Sequence, residues 1–264
     1  MSGRFSGRVA LITGAGSSTG IGFATARLFG REGARVAIAS TTERIHERVA
    51  ELAADGVIAS GHVGDLTRAG VAARIMVEVL AVHERLDILV NSAGMTSIGE
   101  PESDLAVLDT TEAEWDRVIA RNLRTAFSMT RASLPALLNA SPGGRVVFVS
   151  SVTGPLVSNP RSSGYAAAKA GLTGLARSLA VEYGRQGLTV NCVLPGWIAS
   201  GSQLAEEVVA GEHTPIGRSG TVDEVAEAIG FLASPGASYV TGQTLVVDGG
   251  NVVQEYKGPA DDYY

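Results

Sequence analysis

The stretch RVALITGAGSSTGIGFATARLF, Arg8–Phe29, decides how the chain is read. Val9–Ile12 is a short apolar run without polar alternation, which predicts a strand covered on both faces. The run gives way at Thr13 to TGAGSSTGIG, and from Gly22 apolar residues recur at helical spacing. Strand, glycine-rich turn and helix in that order make a phosphate cradle, because the unpaired N–H groups and positive dipole end of the helix face whatever rests on the turn. The glycines depart from both usual spacings. G-x-G-x-x-G counted from Gly14 and Gly16 requires a glycine at 19, where Thr19 stands, and T-G-x-x-x-G-x-G counted from Thr13 requires one at 18, where Ser18 stands. Five residues, Ala15–Thr19, occupy the place of the three in the second pattern. The cradle is therefore expected to be enlarged but intact. Gly14 forms the turn and Gly20 admits a phosphate close to the backbone beside Ile21. Ser17, Ser18 and Thr19 add hydroxyl donors.

Composition bounds what such a turn serves. With 264 residues, 45% of them hydrophobic and 18% charged, the chain is long enough to bury one sizeable core, and nothing in it requires a second. A net charge of −6 leaves no electrostatic footprint for nucleic acid or anionic lipid. No run of 18 apolar residues occurs and MSGRFSGRVAL holds no apolar signal region, so no membrane partner is expected and the cytoplasm is the expected location. The single cysteine, Cys192, lies in the apolar run LTVNCVL and reads as a buried, inert thiol. His46, His62, His83 and His213 are far apart and lack cysteine partners, so no metal site is expected.

Beyond the opening stretch, β-branched runs alternate with helical patterns. Strands are predicted at Val9–Thr13, Arg35–Ser40, Val57–His62, Ile88–Asn91, Arg145–Ser150, Thr189–Leu194 and Thr244–Val247. Helices are predicted at Gly22–Arg31, Glu43–Ala54, Arg68–Glu84, Glu112–Leu138, Tyr165–Tyr183 and Val222–Ala233. This alternation implies a doubly wound α/β fold, a parallel sheet of about seven strands with helices on both faces. Residues 1–264 read as a single domain, with a short lid over about 197–220 and a tail at 252–264. Ligands of such sheets lie beyond the carboxyl ends of the strands. The residues there, the Thr13 loop, Ser40–Thr42, Asp65–Leu66, Asn91–Gly94, Ser150–Ser151 and Pro195–Ser200, are mostly small or polar.

Several of these positions belong to motifs that occur in one order: the glycine loop, DLT at Asp65, NSAG at Asn91, RNL at Arg121, SSVTG at Ser150, YAAAK at Tyr165, PGWIAS at Pro195 and VTGQTLVVDGGN from Val240. In this set the chain resembles the short-chain dehydrogenases/reductases over nearly its whole length, roughly Gly7 to Asn251. With TPIGRSGTVDEVAEAIGFL at Thr214–Leu232 it is most similar to the 3-oxoacyl-acyl-carrier-protein reductase type. The resemblance implies a Rossmann-type fold and reversible hydride transfer between a nicotinamide cofactor and a ketone or secondary alcohol.

The side chains support that chemistry. Tyr165 and Lys169 are four apart on a predicted helix and share a face. A phenol ordinarily titrates near pH 10, and an adjacent ammonium favours its ionised form, so Lys169 prepares Tyr165 for proton transfer. Ser151 is a neutral donor suited to the oxygen on which charge grows. By resemblance, Lys169 also holds the nicotinamide ribose and Asn122 positions a water that links Lys169 to solvent. Ser151 precedes Tyr165 by 14 residues, about one more than expected, and the extra residue falls in VSNPRSSG. Alignment on S-V-x-G selects Ser151 over Ser150.

Cofactor choice is read after the second strand. An acidic residue there favours NAD, whereas Ser40, Thr41 and Thr42, with Arg44 nearby, suit a 2′-phosphate, so NADP(H) is expected in preference to NAD(H). By resemblance, Asp65 and Leu66 contact adenine, Asn91, Ala93 and Gly94 back the ribose and nicotinamide, and Pro195, Gly196, Ile198 and Ser200 flank the carboxamide. The glycine-loop length also matches the divergent enoyl-thioester reductases, which separate Tyr and Lys by six residues; here three intervene. A family member that binds the dinucleotide without turnover is the other alternative. The lid residues Trp197, Leu204 and Val208 indicate a small, partly apolar carbonyl or alcohol substrate. The helix end LLNASPGG lacks the basic residues that an acidic carrier protein would need. The acidic segment 95–116 reads as a solvated loop. The Ala- and Gly-rich helix after Tyr165 permits close backbone approach, and the resemblance adds a homotetramer, with a dimer as the smaller form. The tail is expected to reach a neighbouring subunit.

Overall fold

The structure, a computed structural model, describes residues 3–94, 105–255 and 257–258. Its central sheet takes β1 (Val9–Thr13), β2 (Arg35–Ser40), β3 (Ala59–Val63), β4 (Ile88–Asn91), β5 (Arg145–Val149) and β6 (Thr189–Pro195). A two-residue pair, β7 (Ile198–Ala199) with β8 (Gly220–Thr221), lies apart, and β9 (Thr244–Val247) completes the main sheet. The order is β3-β2-β1-β4-β5-β6-β9, every neighbouring pair parallel, as the sequence predicts. The chain winds outward from β1 in one direction and from β4 in the other. The crevice between their carboxyl ends is therefore the natural ligand site.

Helices α1 (Ile21–Arg31), α2 (Ile45–Ala54), α3 (Val71–His83), α4 (Glu112–Ile119), α5 (Thr125–Leu138), α6 (Ser163–Tyr183), α7 (Ala205–Glu212) and α8 (Val222–Ala233) surround the sheet. Successive strand residues point to opposite faces, and here both faces are apolar. Leu11, Leu89, Phe148 and Cys192 join Ile75 of α3, Met129 of α5 and Leu172 of α6 in one core. Ile12, Ile38, Val147 and Val193 join Phe23 and Phe29 of α1, Leu52 of α2 and Ile229 of α8 in the other. Burial pushes the Cys192 thiol up to about 12, which leaves it protonated and unreactive near neutral pH.

Apart from shifts of one to three residues at element ends, the structure departs from the sequence reading at β3, at α4–α5 and in the lid. β3 begins at Ala59 rather than Val57, because the Val57 side chain turns into the space left by Gly30, where a β-carbon would lie 2.3 Å from Val57 Cγ1. The single helix expected over Glu112–Leu138 is interrupted by a π turn at Ala120–Arg124. The wider turn turns Asn122 inward, to 1% exposure. The lid is more ordered in outline than its sequence implies, since α7 lies between the paired strands β7 and β8. Residues 95–104 of the acidic segment, and residues 256 and 259–264 of the tail, lie outside the described residues.

Candidate active site

A cleft of about 780 Å³ runs along the carboxyl ends of the strands. At one end it meets the N-terminus of α1. That helix has no acidic residue in its first turn and no side chain capping it at Gly20. The contrast within the molecule is sharp. Helices α4 and α8 carry complete capping boxes, Thr111 with Glu114 and Thr221 with Glu224. The orphan N–H groups of α1 are instead open to the cleft wall formed by Gly20, Ile21 and Gly22. The loop is pressed against its helix. A methyl group on Gly22 would lie 2.7 Å from the Gly14 carbonyl oxygen, and Gly14 itself has φ +71°. A close-packed turn with open amides and no competing carboxylate fits a diphosphate.

The enlarged part of the loop does not hang free. Ala15 N–H donates to the Ala39 carbonyl at the end of β2 (3.2 Å), and Ser17 Oγ lies 3.3 Å from Thr19 Oγ1. Thr19 also reaches across to the segment after β7, where a β-carbon on Gly201 would stand 2.3 Å from its Oγ1.

At the other end of the cleft, α6 brings Tyr165 and Lys169 to one face. Lys169 is 4% exposed, its Nζ donates to the Val149 carbonyl (3.1 Å) and it lies 5.4 Å from the centre of the Tyr165 ring. A β-carbon on Gly94 would lie 2.9 Å from Asn122 Oδ1 and 3.5 Å from Lys169 Nζ, so the absent side chain lets these two groups converge. Asn122 is oriented by its Nδ2–H bond to the Val118 carbonyl (3.2 Å). The two serines after β5 differ in their bonding. Ser150 Oγ donates to the Lys169 carbonyl (2.8 Å) and is buried, whereas Ser151 lies on the cleft wall, with its Oγ accepting from Thr153 N–H (3.1 Å). Only the Ser151 hydroxyl proton remains available for a ligand. Within VSNPRSSG, where the extra residue is expected, the chain turns at Pro160–Arg161 and Arg161 takes φ +62°.

A family profile described as "Enoyl-(Acyl carrier protein) reductase" matches residues 14–251. The chain is a short-chain dehydrogenase/reductase. Among its relatives, oxidoreductase UcpA of Salmonella typhimurium is 33% identical, covering 96% of this chain and 97% of that protein. The 3-oxoacyl-[acyl-carrier-protein] reductase FabG of Escherichia coli K12 is 36% identical, covering 93% and 98%. The crystal structure of a dehydrogenase/reductase from Sinorhizobium meliloti superposes with a TM-score of 0.85 at 32% identity, over 93% of this chain and 95% of that one. As a short-chain dehydrogenase/reductase the protein is an oxidoreductase acting on CH–OH/C=O groups with a nicotinamide cofactor.

The remaining residues singled out from sequence fall in two groups in this short-chain dehydrogenase/reductase. Gly14, Ser17, Gly20, Ile21, Gly94, Pro195, Gly196, Ile198 and Ser200 line the cleft. Ser18, Thr19, Ser40, Thr41, Thr42, Asp65, Leu66, Asn91, Ala93 and Asn122 are not among the residues lining it. Several of these have structural partners. Ser40 Oγ donates to the Thr42 carbonyl (2.9 Å), and Asp65 Oδ1 accepts from both the backbone and the hydroxyl of Thr67 (3.0 and 2.6 Å). Asn91 Nδ2 donates to Thr130 Oγ1 (3.0 Å) while its Oδ1 is buried without a partner. Thr13 Oγ1 accepts the N–H groups of Ser92 and Ala93 (3.2 and 3.1 Å), which joins the ends of β1 and β4.

Sequence reasoning missed the outer wall of the cleft. Ser158 and Asn159, then His213 and Lys257, line it from a loop, the end of α7 and the tail. No periodic pattern marks such positions. Two of the histidines meet away from the cleft, His62 and His83 both bonding Ser60 Oγ (2.9 and 2.8 Å), but the described residues contain no group of three or more metal-ligating side chains. No helix among them is long and apolar enough to cross a membrane.

Proposed function

We propose that the chain interconverts a small ketone and its secondary alcohol, with Tyr165 as proton donor in reduction and NADP(H) as the favoured cofactor. The observation that carries this reading is the meeting of Ser151, Tyr165 and Lys169 on one cleft whose far end is the open N-terminus of α1. Gly14, Gly20 and Ile21 hold the diphosphate, Lys169 holds the nicotinamide ribose, and Gly94, Pro195, Gly196, Ile198 and Ser200 flank the ring. A nicotinamide group bound there supplies the hydride in reduction and accepts it in oxidation. Ser151 donates to the substrate oxygen and stabilises the charge that grows on it. Tyr165 passes its hydroxyl proton to the same oxygen. The Lys169 ammonium stabilises the phenolate left behind until a proton returns from solvent, by a water next to Asn122. Tyr–Lys spacing of one helical turn and a serine donor favour C=O over C=C chemistry, and an intact catalytic set favours turnover over passive binding.

Ser151→Ala is expected to lower kcat about 100-fold, in line with the loss of one hydrogen-bond donor to a developing oxyanion, with Tm unchanged. Ser150→Ala is expected to lower stability by about 1 kcal/mol, the size of a lost buried hydrogen bond, with a smaller effect on kcat. The reverse pattern would exchange their roles.

The preference for NADP(H) is supported by Arg44, which lines the cleft near the Ser40–Thr42 turn, and by Glu43, whose carboxylate is engaged with His46 (3.2 Å). Fluorescence titration tests it. NADPH is expected to bind more tightly than NADH. Arg44→Ala is expected to weaken NADPH about tenfold, roughly one charge-assisted hydrogen bond, and to leave NADH within twofold. Equal losses for both cofactors would move the 2′-phosphate away from Arg44.

We read residues 1–264 as one domain, supported by a sheet that takes strands from Val9 to Val247. Self-association as a homotetramer or dimer is supported by the exposed apolar side chains Phe127 of α5 and Val181 of α6, 47% and 86% accessible. Sedimentation at micromolar concentration would reveal a monomer.

A further inference from the structure

We infer that the substrate carries a carboxylate, held by Lys257 and His213 at the outer end of the cleft, so that the reaction interconverts an oxo acid and a hydroxy acid. This deepens the carbonyl-reductase reading and rests on it. Beyond Tyr165 the wall comes from three separate pieces of chain: Ser158 and Asn159 after β5, Glu207 and His213 of α7 and its end, and Asn251 and Lys257 of the tail.

The tail is attached to the end of α7 by several bonds. Gln254 Nε2 donates to the His213 carbonyl (3.0 Å), and Ile216 N–H donates to the Gly249 carbonyl (3.2 Å). Asp248 clasps the root of the tail by accepting from Gly250 N–H (2.9 Å) and Val252 N–H (2.8 Å). These bonds hold the tail as far as Gln254 against the end of α7, and His213 and Lys257 both line the cleft.

The charges at that rim are unbalanced. The Lys257 ammonium has no ion pair or hydrogen bond with the described residues, and neither has the His213 imidazole. Glu207, the one carboxylate among the described residues of the wall, is engaged as a helix cap, its Oε2 accepting from Leu204 N–H (2.9 Å). A cation and an imidazole therefore line the substrate space with no anion among the described residues paired to them, in a chain whose net charge is −6. A carboxylate placed there receives a charge-assisted hydrogen bond from Lys257 and a second bond from an imidazole N–H of His213. Trp197 supplies an apolar surface for the carbon atoms between that carboxylate and the carbonyl at Tyr165.

The test compares a 3-oxo acid with its methyl ester in wild type, Lys257→Met and Lys257→Arg. In wild type the acid is expected to be used with at least tenfold higher kcat/KM than the ester. Lys257→Met should lower the acid at least tenfold and the ester less than twofold, and Lys257→Arg should restore most of the acid rate. Equal use of acid and ester, or equal losses on both, overturns the assignment and leaves Lys257 a solvated rim lysine. Binding is read independently. Of the two tryptophans, Trp197 lines the cleft, so its fluorescence in the NADP⁺ complex can be titrated with butanoate and with butanamide. Preference for butanoate that disappears in Lys257→Met supports the site; no preference overturns it. Loss of all ketone turnover while butanoate still binds through Lys257 would sink the reductase reading and keep the carboxylate site.

Discussion

Tyr165→Phe is expected to lower kcat by about three orders of magnitude, within the range that general acid–base catalysis contributes. The substitution removes the hydroxyl proposed to pass its proton to the substrate oxygen and keeps the ring. Lys169 remains fixed by the Val149 carbonyl, so the cofactor affinity is expected to stay within threefold of wild type. The predicted signature is a fall in kcat with unchanged cofactor binding and Tm, which stopped-flow measurement of NADPH consumption and a thermal melt would give together. A variant that retained more than a tenth of wild-type kcat would assign proton transfer to another group and remove the role of Tyr165.

The second large effect is at Gly20, where Gly20→Ala is expected to weaken NADPH binding at least 100-fold, about 2.7 kcal/mol, without loss of fold. The backbone there is extended, with φ −97° and ψ 156°, so alanine is conformationally allowed. Its methyl group would make an ordinary contact, 3.4 Å from Ser17 Cβ, on a wall facing the cleft. The protein tolerates it and the diphosphate does not. Gly22→Ala is the matching control, because its methyl group meets the Gly14 carbonyl at 2.7 Å, a backbone atom with little freedom to move. That variant is expected to lose Tm as well as affinity. If Gly20→Ala bound NADPH as wild type does, the enlarged loop would not be the cradle.

Much of the sheet is legible in the sequence because its strands are short apolar runs separated by glycine and helical pattern, and Val9–Thr13, Ile88–Asn91 and Thr244–Val247 fall where their residues predict. The inner half of the site is legible for a related reason. Phosphate cradling and proton transfer need fixed residue types at fixed spacing, as at Gly14–Gly20 and Tyr165–Lys169. The π turn at Asn122 is not legible, since ARNLR has ordinary helical composition and the turn shows only where the segment packs among α4, α5 and α6. The outer wall is equally hidden. His213 and Lys257 are 44 residues apart and line one cleft, with Gln254 and Gly249 binding the tail to the end of α7.

The uneven capping of the helices has a thermodynamic consequence. Helix α8 carries its own anion: the Arg218 guanidinium and the Thr221 amide hold the Glu224 carboxyl at about 2, so that cap persists through the whole neutral range. Helix α1 has no such group, and a diphosphate bound as proposed would serve as its cap. Folding of the Rossmann half is thereby linked to ligand concentration, by about 2.7 kcal/mol at a hundred times the dissociation constant. The folded chain is therefore expected to melt at higher temperature with the dinucleotide than without it, in either oxidation state, since both forms carry the same diphosphate.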